Sequence, residues 1–450
     1  MAEIAEGVST GRKCFILQKA RESLLQFSRL EPAYMLRRYV LLFFILSASG
    51  CGEWTRLSLE NRSASFGKDA VVNGPVLSLT HVSSDSSRVY FRFPSGGLLL
   101  KKSGDVYSAA LKVSFSFFSS YEERTPVDTG TLIFTMDAHS EAVSLSDSFN
   151  LFTGSPGRSI LRLSFSDLNK NTGLVRYIPV IRKKTIASQD VQMRLRDGGL
   201  AYTNCFSVPA EVSVYSPFKF PDSLWMRCYF RNFPLAVLPF RLIDDPIFNM
   251  ASDSAVRLSS ETLPGLKLNR EGIYFFQADT TLPSGFSILC FGEGFPEVRR
   301  AFDLIEATRY ITTRSEYQKL LSSSQPKADI DRFWLDIAGN TERGRLLIRN
   351  YYGRMQQANQ LFTSYMDGWK TDRGMIYMIF GVPGTVYTDG ETEHWTYSGV
   401  PGLPELLFVF RKMNNPFTEN DFALIRQPAF ENPWYMAVDR WRQGRVVNDE

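Results

Sequence analysis

Alternation of apolar and polar side chains is the feature that most restricts how this chain can fold. Leucine, valine and phenylalanine occupy every second position of residues 111–117, with lysine and serine between them, and residues 161–166 repeat the pattern. Strict alternation is typical of a strand in an antiparallel sheet that has one buried face. Because several such segments are separated by Ser, Asp, Gly and Pro, the sequence predicts a β-sandwich over residues 70–182.

Residues 185–295 contain further strand-like segments, including 272–279 and 285–292. They share no clear sequence identity with residues 70–182, so an internal duplication is not indicated. We expect a second β-sandwich module here, of the same class as the first.

The periodicity changes at Pro296, where apolar residues begin to recur at helical spacing. The pattern predicts a helix that starts at this proline, within a helical linker of residues 296–325. Residues 326–450 then contain two helical stretches, and the segments 375–381, 393–399, 405–412 and 421–427 are predicted strands. The predicted fold class is therefore mainly β with a C-terminal α+β domain: two β-sandwich modules, a helical segment and a small antiparallel sheet.

Residues 35–50 have the composition of a secretory signal. Arg37 and Arg38 precede a short apolar stretch, and small residues then lead to Cys51. This order resembles a bacterial lipoprotein signal peptide, in which lipid is attached to the cysteine; a buried apolar strand or an uncleaved anchor helix is the alternative. We expect residues 1–34 to be a non-native or unstructured extension, Cys51 to be lipidated, and residues 51–69 to form a tether.

Charge and metal-ligating residues exclude several classes of function. The first 50 residues hold seven of the 51 Lys and Arg and four of the 47 Asp and Glu, which leaves a net charge of only +1 for the rest. A nearly neutral body does not favour nucleic-acid binding. The three histidines and five cysteines lack metal-ligand spacing, so neither a metal nor a cofactor is expected. Cys205, Cys228 and Cys290 allow at most one internal disulfide, whose pairing the sequence leaves open.

A crowded turn, residues 367–384, joins the predicted helix of residues 342–366 to the first predicted strand. Gly368 can end the helix, and Trp369 can pack between helix and sheet. The structural interpretation is a junction in which Thr371 and Asp372 bond to the backbone of their own turn. The functional interpretation is a ligand pocket, whose candidate residues are Trp369, Asp372, Arg373, Glu393, His394 and Trp395.

The segment Gly368–Asp372 reads GWKTD, and together with DRFWLDIAGN, EHWTYS, NNPFTENDFAL and WYMAVDRWRQGRV it resembles the GWxTD-domain proteins of Bacteroidetes-type bacteria. The resemblance covers residues 326–447, and its ordered blocks make it specific. It implies a lipoprotein with a β-rich N-terminal region. The family has no established activity, so the resemblance implies an architecture and a location without a reaction.

No nucleophile elbow, Walker loop or dinucleotide motif occurs in the sequence, and no catalytic residue is assigned. We therefore expect a lipid-anchored outer-membrane lipoprotein that binds or assembles other envelope proteins, facing either the periplasm or the cell surface. The alternative is an envelope hydrolase acting on glycan or peptide, with Asp372 and Glu393 as its carboxylate pair.

Overall fold

The computed structural model describes residues 55–138, 144–154, 157–244, 248–399 and 403–445. All of them belong to one compact unit. Strand exceeds helix, at 35% against 26% of the residues, which confirms the predicted fold class. Cys51 and the signal segment lie outside the described residues.

The N-terminal module has two sheets whose inner faces share one apolar core. A short helix, α1 (Lys68–Val72), precedes them. The smaller sheet has the order β1-β2-β6; the larger has the order β3-β4-β7-β8, with β5 also paired to β4. The strands are β1 (Val76–His81), β2 (Ser86–Phe93), β3 (Lys101–Ser103), β4 (Val106–Phe118), β5 (Asp128–Ala138), β6 (Leu145–Phe152), β7 (Gly157–Asp167) and β8 (Thr172–Arg182).

The second group of strands also forms two sheets around a shared core. The orders are β14-β11-β9 and β10-β16-β15-β12-β13, in which β10 runs parallel to β16. The strands are β9 (Gln192–Leu195), β10 (Cys205–Ser207), β11 (Ala210–Tyr215), β12 (Ser223–Tyr229), β13 (Ser254–Ser259), β14 (Leu266–Leu268), β15 (Gly272–Gln277) and β16 (Phe286–Phe291).

The strands β15 and β16 of the five-stranded sheet are buried on both faces, because the face that points away from the core of the sandwich packs on an aromatic cluster. Phe417, from the loop before β20, contacts Tyr229 and Phe275 with ring centroids 5.0 and 5.2 Å apart. Phe248 and Tyr365 complete the cluster. This cluster joins the second sandwich to the C-terminal domain, so the two share apolar surface.

The C-terminal domain packs helices against one face of an antiparallel sheet with the order β17-β18-β19-β20. Its helices are α2 (Ala301–Ala307), α3 (Arg314–Leu321), α4 (Pro326–Ala338), α5 (Thr341–Phe362), α6 (Asp372–Phe380) and α7 (Glu431–Arg442). Its strands are β17 (Thr385–Thr388), β18 (Thr392–Tyr397), β19 (Leu406–Lys412) and β20 (Phe422–Leu424).

Two predictions about this domain were wrong. Residues 375–381 were predicted as a strand, but residues 372–380 form helix α6. The helix expected at Pro296 begins only at Ala301, and the residues between them are irregular. In both places the apolar pattern marks burial correctly but gives the wrong element or the wrong start.

Candidate functional site

The GWKTD segment connects helices α5 and α6 through one turn of 3-10 helix, Gly368–Lys370. A Cβ atom on Gly368 would lie 2.0 Å from the carbonyl oxygen of Ala358 in α5. A Cβ on Gly374 would lie 1.9 Å from the carbonyl oxygen of Gly368. Side chains at either position would therefore push the turn away from the two helices, so glycine is required by close packing.

Trp369 is only 2% exposed and belongs to the core of the domain. Its backbone N–H donates to Asn359 Oδ1 at 3.3 Å, and its carbonyl oxygen accepts from the hydroxyl of Tyr310 at 3.2 Å. The Tyr310 and Trp369 rings meet edge to face, 6.3 Å apart. The predicted burial of Trp369 is confirmed, although its neighbour after the turn is helix α6 instead of a strand.

Lys370 lies between two acidic side chains. Its ammonium nitrogen is 3.1 Å from Glu306 and 3.5 Å from Asp367, and its carbonyl oxygen accepts from Ala236 N–H at 2.9 Å. Burial acts to lower the pKa of Lys370, but the charges of Asp367 and Glu306 outweigh it and raise the pKa overall. Burial also raises the pKa of Asp367, against the charge of Lys370. The motif lysine is thus neutralised internally.

Thr371 and Asp372 fix the start of α6. The Thr371 hydroxyl accepts from Gly374 N–H at 3.1 Å and donates to the Gly368 carbonyl at 2.7 Å, which makes it an N-cap. The Asp372 carboxylate accepts from Leu424 N–H at 2.7 Å and from both terminal nitrogens of Arg426, at 2.5 and 3.0 Å. Burial raises the pKa of Asp372, opposed by the charge of Arg426.

Arg373 forms a separate ion pair on the sheet side. Its guanidinium donates to Glu393 Oε1 at 3.1 Å and to the side-chain and backbone oxygens of Asn420 at 2.5 and 2.9 Å. Trp395 Nε1 donates to the second Glu393 oxygen at 3.2 Å. The ion pair of Arg373 with Glu393, supported by the bonds to Asn420 and from Trp395, holds α6 against β18.

The structure brings together only part of the predicted pocket. Glu393 bonds to both Arg373 and Trp395, whereas Asp372 bonds to Arg426 and Trp369 packs on Tyr310. His394 pairs with Tyr387 and Val409 across the sheet, on the face opposite to its neighbours in sequence. Asp372 and Glu393, the proposed carboxylate pair, are therefore each paired with a different arginine.

Sequence reasoning missed Arg426, Asn420, Glu306 and Tyr310, which supply the partners of the motif. Arg426 could have been noticed in the sequence, because it is a charged residue near the end of the apolar segment 421–427. A further acidic group, Asp421, accepts from Asn415 Nδ2 at 2.7 Å. Burial raises the pKa of Asp421 to about 6.

Cys205, Cys228 and Cys290 are all free thiols. Cys228 on β12 and Cys290 on β16 lie on opposite sides of β15, so a bond between them would have to cross a strand. Burial raises the pKa of Cys205 to about 11 and that of Cys290 to about 12, so these thiols stay protonated at neutral pH.

Metal ligands, membrane-spanning helices and cavities are the other features of the described part of the chain that bear on its function. No group of three or more His, Cys, Asp and Glu there is placed to hold a metal ion. None of the helices described is both long and apolar enough to cross a bilayer. A cavity of about 410 Å³ lies between the two sandwiches and the loop of residues 416–419, and one of about 300 Å³ lies beside β20.

The C-terminal part of the chain is thus an α+β domain whose helices and sheet pack around a buried turn that contains glycine and tryptophan. Residues 272–443 match the family model of the GWxTD domain, so the chain carries that domain. No curated protein matches the chain. The match begins at the first residue of β15, earlier than the expected residue 326, and β15 is one of the strands that contact Phe417.

Proposed function

We propose that this protein is a lipid-anchored bacterial envelope lipoprotein that binds or assembles other envelope proteins. The observation that carries the proposal is that the charged side chains of the GWKTD segment, and of Arg373 directly after it, are all paired inside the fold. Lys370, Asp372 and Arg373 each bond to partners within the fold. Groups committed in this way stabilise a shape and are poorly placed to exchange protons with a substrate.

An exposed apolar row on the outer face of the C-terminal sheet supports a binding role. Tyr387, His394 and Val409 are neighbours across three strands, and Ile425 N–H donates to the Val409 carbonyl at 2.8 Å. Tyr387 is 37% exposed, Ile425 45%, and Leu407 on the same face 49%. Contiguous apolar side chains at the surface are typical of protein interaction sites.

The proposed anchor at Cys51 would place this domain close to the membrane. The segment that follows it reaches the C-terminal sheet, because Arg62 N–H donates to the Val386 carbonyl at 2.8 Å and Asn61 Oδ1 accepts from Val386 N–H at 2.9 Å. Five residues separate Cys51 from Leu57, and this stretch spans about 20 Å when extended. An acylated Cys51 would therefore hold β17 near the lipid headgroups.

Fractionation of cells tests the anchor. We expect Cys51→Ser to move the protein from the membrane fraction to the soluble envelope fraction, or to leave its signal uncleaved. Mass spectrometry of the mature protein should show an acylated N-terminal cysteine. An unmodified N-terminus that begins at Met1 would reject the anchor.

The hydrolase alternative rests on the raised pKa of Asp372, a property that buried catalytic acids share. It predicts that Asp372→Asn and Glu393→Gln keep the fold but abolish cleavage of peptidoglycan fragments or peptides. The binding proposal predicts no cleavage by the wild type, and a loss of stability in both variants. Assays of turnover and thermal unfolding on the same samples separate the two.

A further inference from the structure

The 410 Å³ cavity lies where three parts of the fold meet. Its walls come from β1, the end of β8, the segments 187–193 and 201–204, and the loop of residues 416–419. Its size falls within the range of ligand-binding sites, which often occur between domains. The apolar part of the wall includes Leu77, Leu79, Val191, Met193 and Ala201.

One wall of this cavity is the free edge of a sheet. Strand β1 is the outermost strand of the order β1-β2-β6. The bond from Val82 N–H to the Ser86 carbonyl makes these two residues a hydrogen-bonded pair in the β1–β2 ladder, so Thr80 and Ser78 are the next residues bonded to β2. The backbone groups of Leu77 and Leu79 therefore point away from β2.

Those backbone groups have no partner among the described residues. No hydrogen bond within residues 55–445 of the described chain engages the N–H or carbonyl of Leu77 or Leu79. Both residues line the cavity. An extended run of unpaired donors and acceptors beside a cavity is the arrangement that accepts an added strand.

The neighbouring edge strand shows the opposite arrangement. On β8, Ile181 N–H donates to Gln189 Oε1 at 2.8 Å, and Gln189 Nε2 donates to the Pro179 carbonyl at 2.7 Å. The glutamine amide thus occupies the edge of β8 as a short strand would. Because Gln189 also lines the cavity, the same segment covers one edge and leaves the other open.

We propose that β1 binds an extended peptide segment of a partner protein, which pairs with Leu77 and Leu79 and inserts an apolar side chain toward Met193 and Ala201. This proposal rests on the binding role proposed above and names its surface. Lys183 and Glu419 both line the cavity, and Glu419 is also paired with Lys412, so the site carries no large net charge and favours a segment without one. Backbone pairing supplies affinity, and the cavity selects the inserted side chain.

A displayed peptide library provides the probe. It contains peptides of about ten residues, the upper end of the usual strand length, in which apolar and polar positions alternate. Clones enriched on the full-length protein are synthesised, and their affinities are measured by fluorescence anisotropy. Hydrogen exchange is then followed at the amides of Leu77 and Leu79, which bound peptide should slow.

Two variants test the location. Leu77→Pro removes an N–H that points away from β2, so the fold should persist while the peptides bind at least about tenfold more weakly. Ala201→Phe fills the cavity and should weaken binding without touching the edge. As a matched control, Ser78→Pro removes an N–H bonded to β2 and should lower thermal stability.

The outcomes decide the proposal. Slower exchange at Leu77 and Leu79 together with weaker binding to both variants supports it. Failure to enrich any clone, or equal binding to wild type and Leu77→Pro, overturns it, as does exchange slowed only on the outer face of the C-terminal sheet. If Cys51→Ser leaves the protein in its usual fraction but the peptides still bind at β1, the anchor is rejected and the peptide site stands.

Discussion

Two six-residue segments with the same apolar character fold into different elements. Residues 286–291, FSILCF, form the strand β16, and residues 375–380, MIYMIF, form most of the helix α6. Nearly every side chain in both is buried. The strand pairs on both sides, with β15 and β10, whereas the helix lies against α5 and the C-terminal sheet.

The contrast between these segments shows which residues specify secondary structure. A segment buried on all sides has no polar positions to mark a period of 2 or 3.6, so its pattern reports burial alone. The helix is specified by its ends: Thr371 caps it, Asp372 stands in its first turn, and Gly381 follows it with φ of 83°.

The substitution with the greatest predicted cost tests whether the turn before α6 holds the helix in place. Trp369→Ala should lower the free energy of unfolding by about 3–5 kcal/mol, because it empties a large buried site. Trp225→Ala, in the half-buried part of β12, which lies in the same sheet as β16, is the matched control and should cost less. Denaturant unfolding measures both. A melt of Trp369→Ala within a degree or two of wild type would reject the structural junction.

A smaller effect is expected from adding one methyl group inside the turn. Gly374→Ala should destabilise the protein by about 1–3 kcal/mol, because its Cβ has no space beside Gly368. Gly353→Ala, on α5, meets nothing within 4 Å and should be neutral or stabilising. Equal effects of the two substitutions in calorimetry would show that helix propensity, and not the close approach, governs this junction.

The pH response should also differ between the two segments. Asp421, near α6, has a folded pKa of about 6 against an ordinary value of 3.8, so the folded state holds its proton more tightly. Its stabilising contribution is complete below pH 3.8 and is lost as pH rises through 6. Near the strand, the Cys290 thiol, with a pKa of about 12, leaves stability unchanged over this range.

Asp421→Asn is the corresponding substitution. It should make the protein more stable than wild type above pH 6, by at most about 3 kcal/mol, with the gain disappearing toward pH 4. Thermal melts at several pH values measure the difference. A constant difference across the whole range would show that Asp421 does not titrate between these values.

The sequence predicted secondary structure correctly where one face of an element is exposed to solvent. Strands β4 and β7 alternate buried and more exposed residues over much of their length, so their period of two is visible. Helix α5 carries an apolar stripe, and Asn340 caps it by accepting from Arg343 N–H. For α6, the capping signal at Thr371 and Gly381 was present in the sequence but was outweighed by the strand-like segment.

The site was less predictable, because its partners are distant in sequence. Trp369 and Thr371 could be assigned structural roles from local chemistry, and the structure gives them those roles. Gly368 was expected to end the helix, but α5 already ends at Phe362, and Gly368 instead begins the 3-10 turn, where close packing on Ala358 requires it. Arg426 reaches Asp372 across 54 residues, and Ala236 donates to Lys370 from the second sandwich. Long-range pairs of this kind depend on the register of β20 and on the docking of the sandwich, which a single sequence does not contain.

The smallest expected effects compare one hydroxyl beside each segment. Thr371→Ala removes the cap of α6 and should cost about 1 kcal/mol. Ser287 in β16 is fully buried, and its Oγ has no hydrogen-bond partner in the described structure, so Ser287→Ala should be neutral or slightly stabilising. Urea unfolding of both variants tests whether the helix depends on its end while the strand depends on its neighbours. A loss for Ser287→Ala as large as that for Thr371→Ala would reject this contrast.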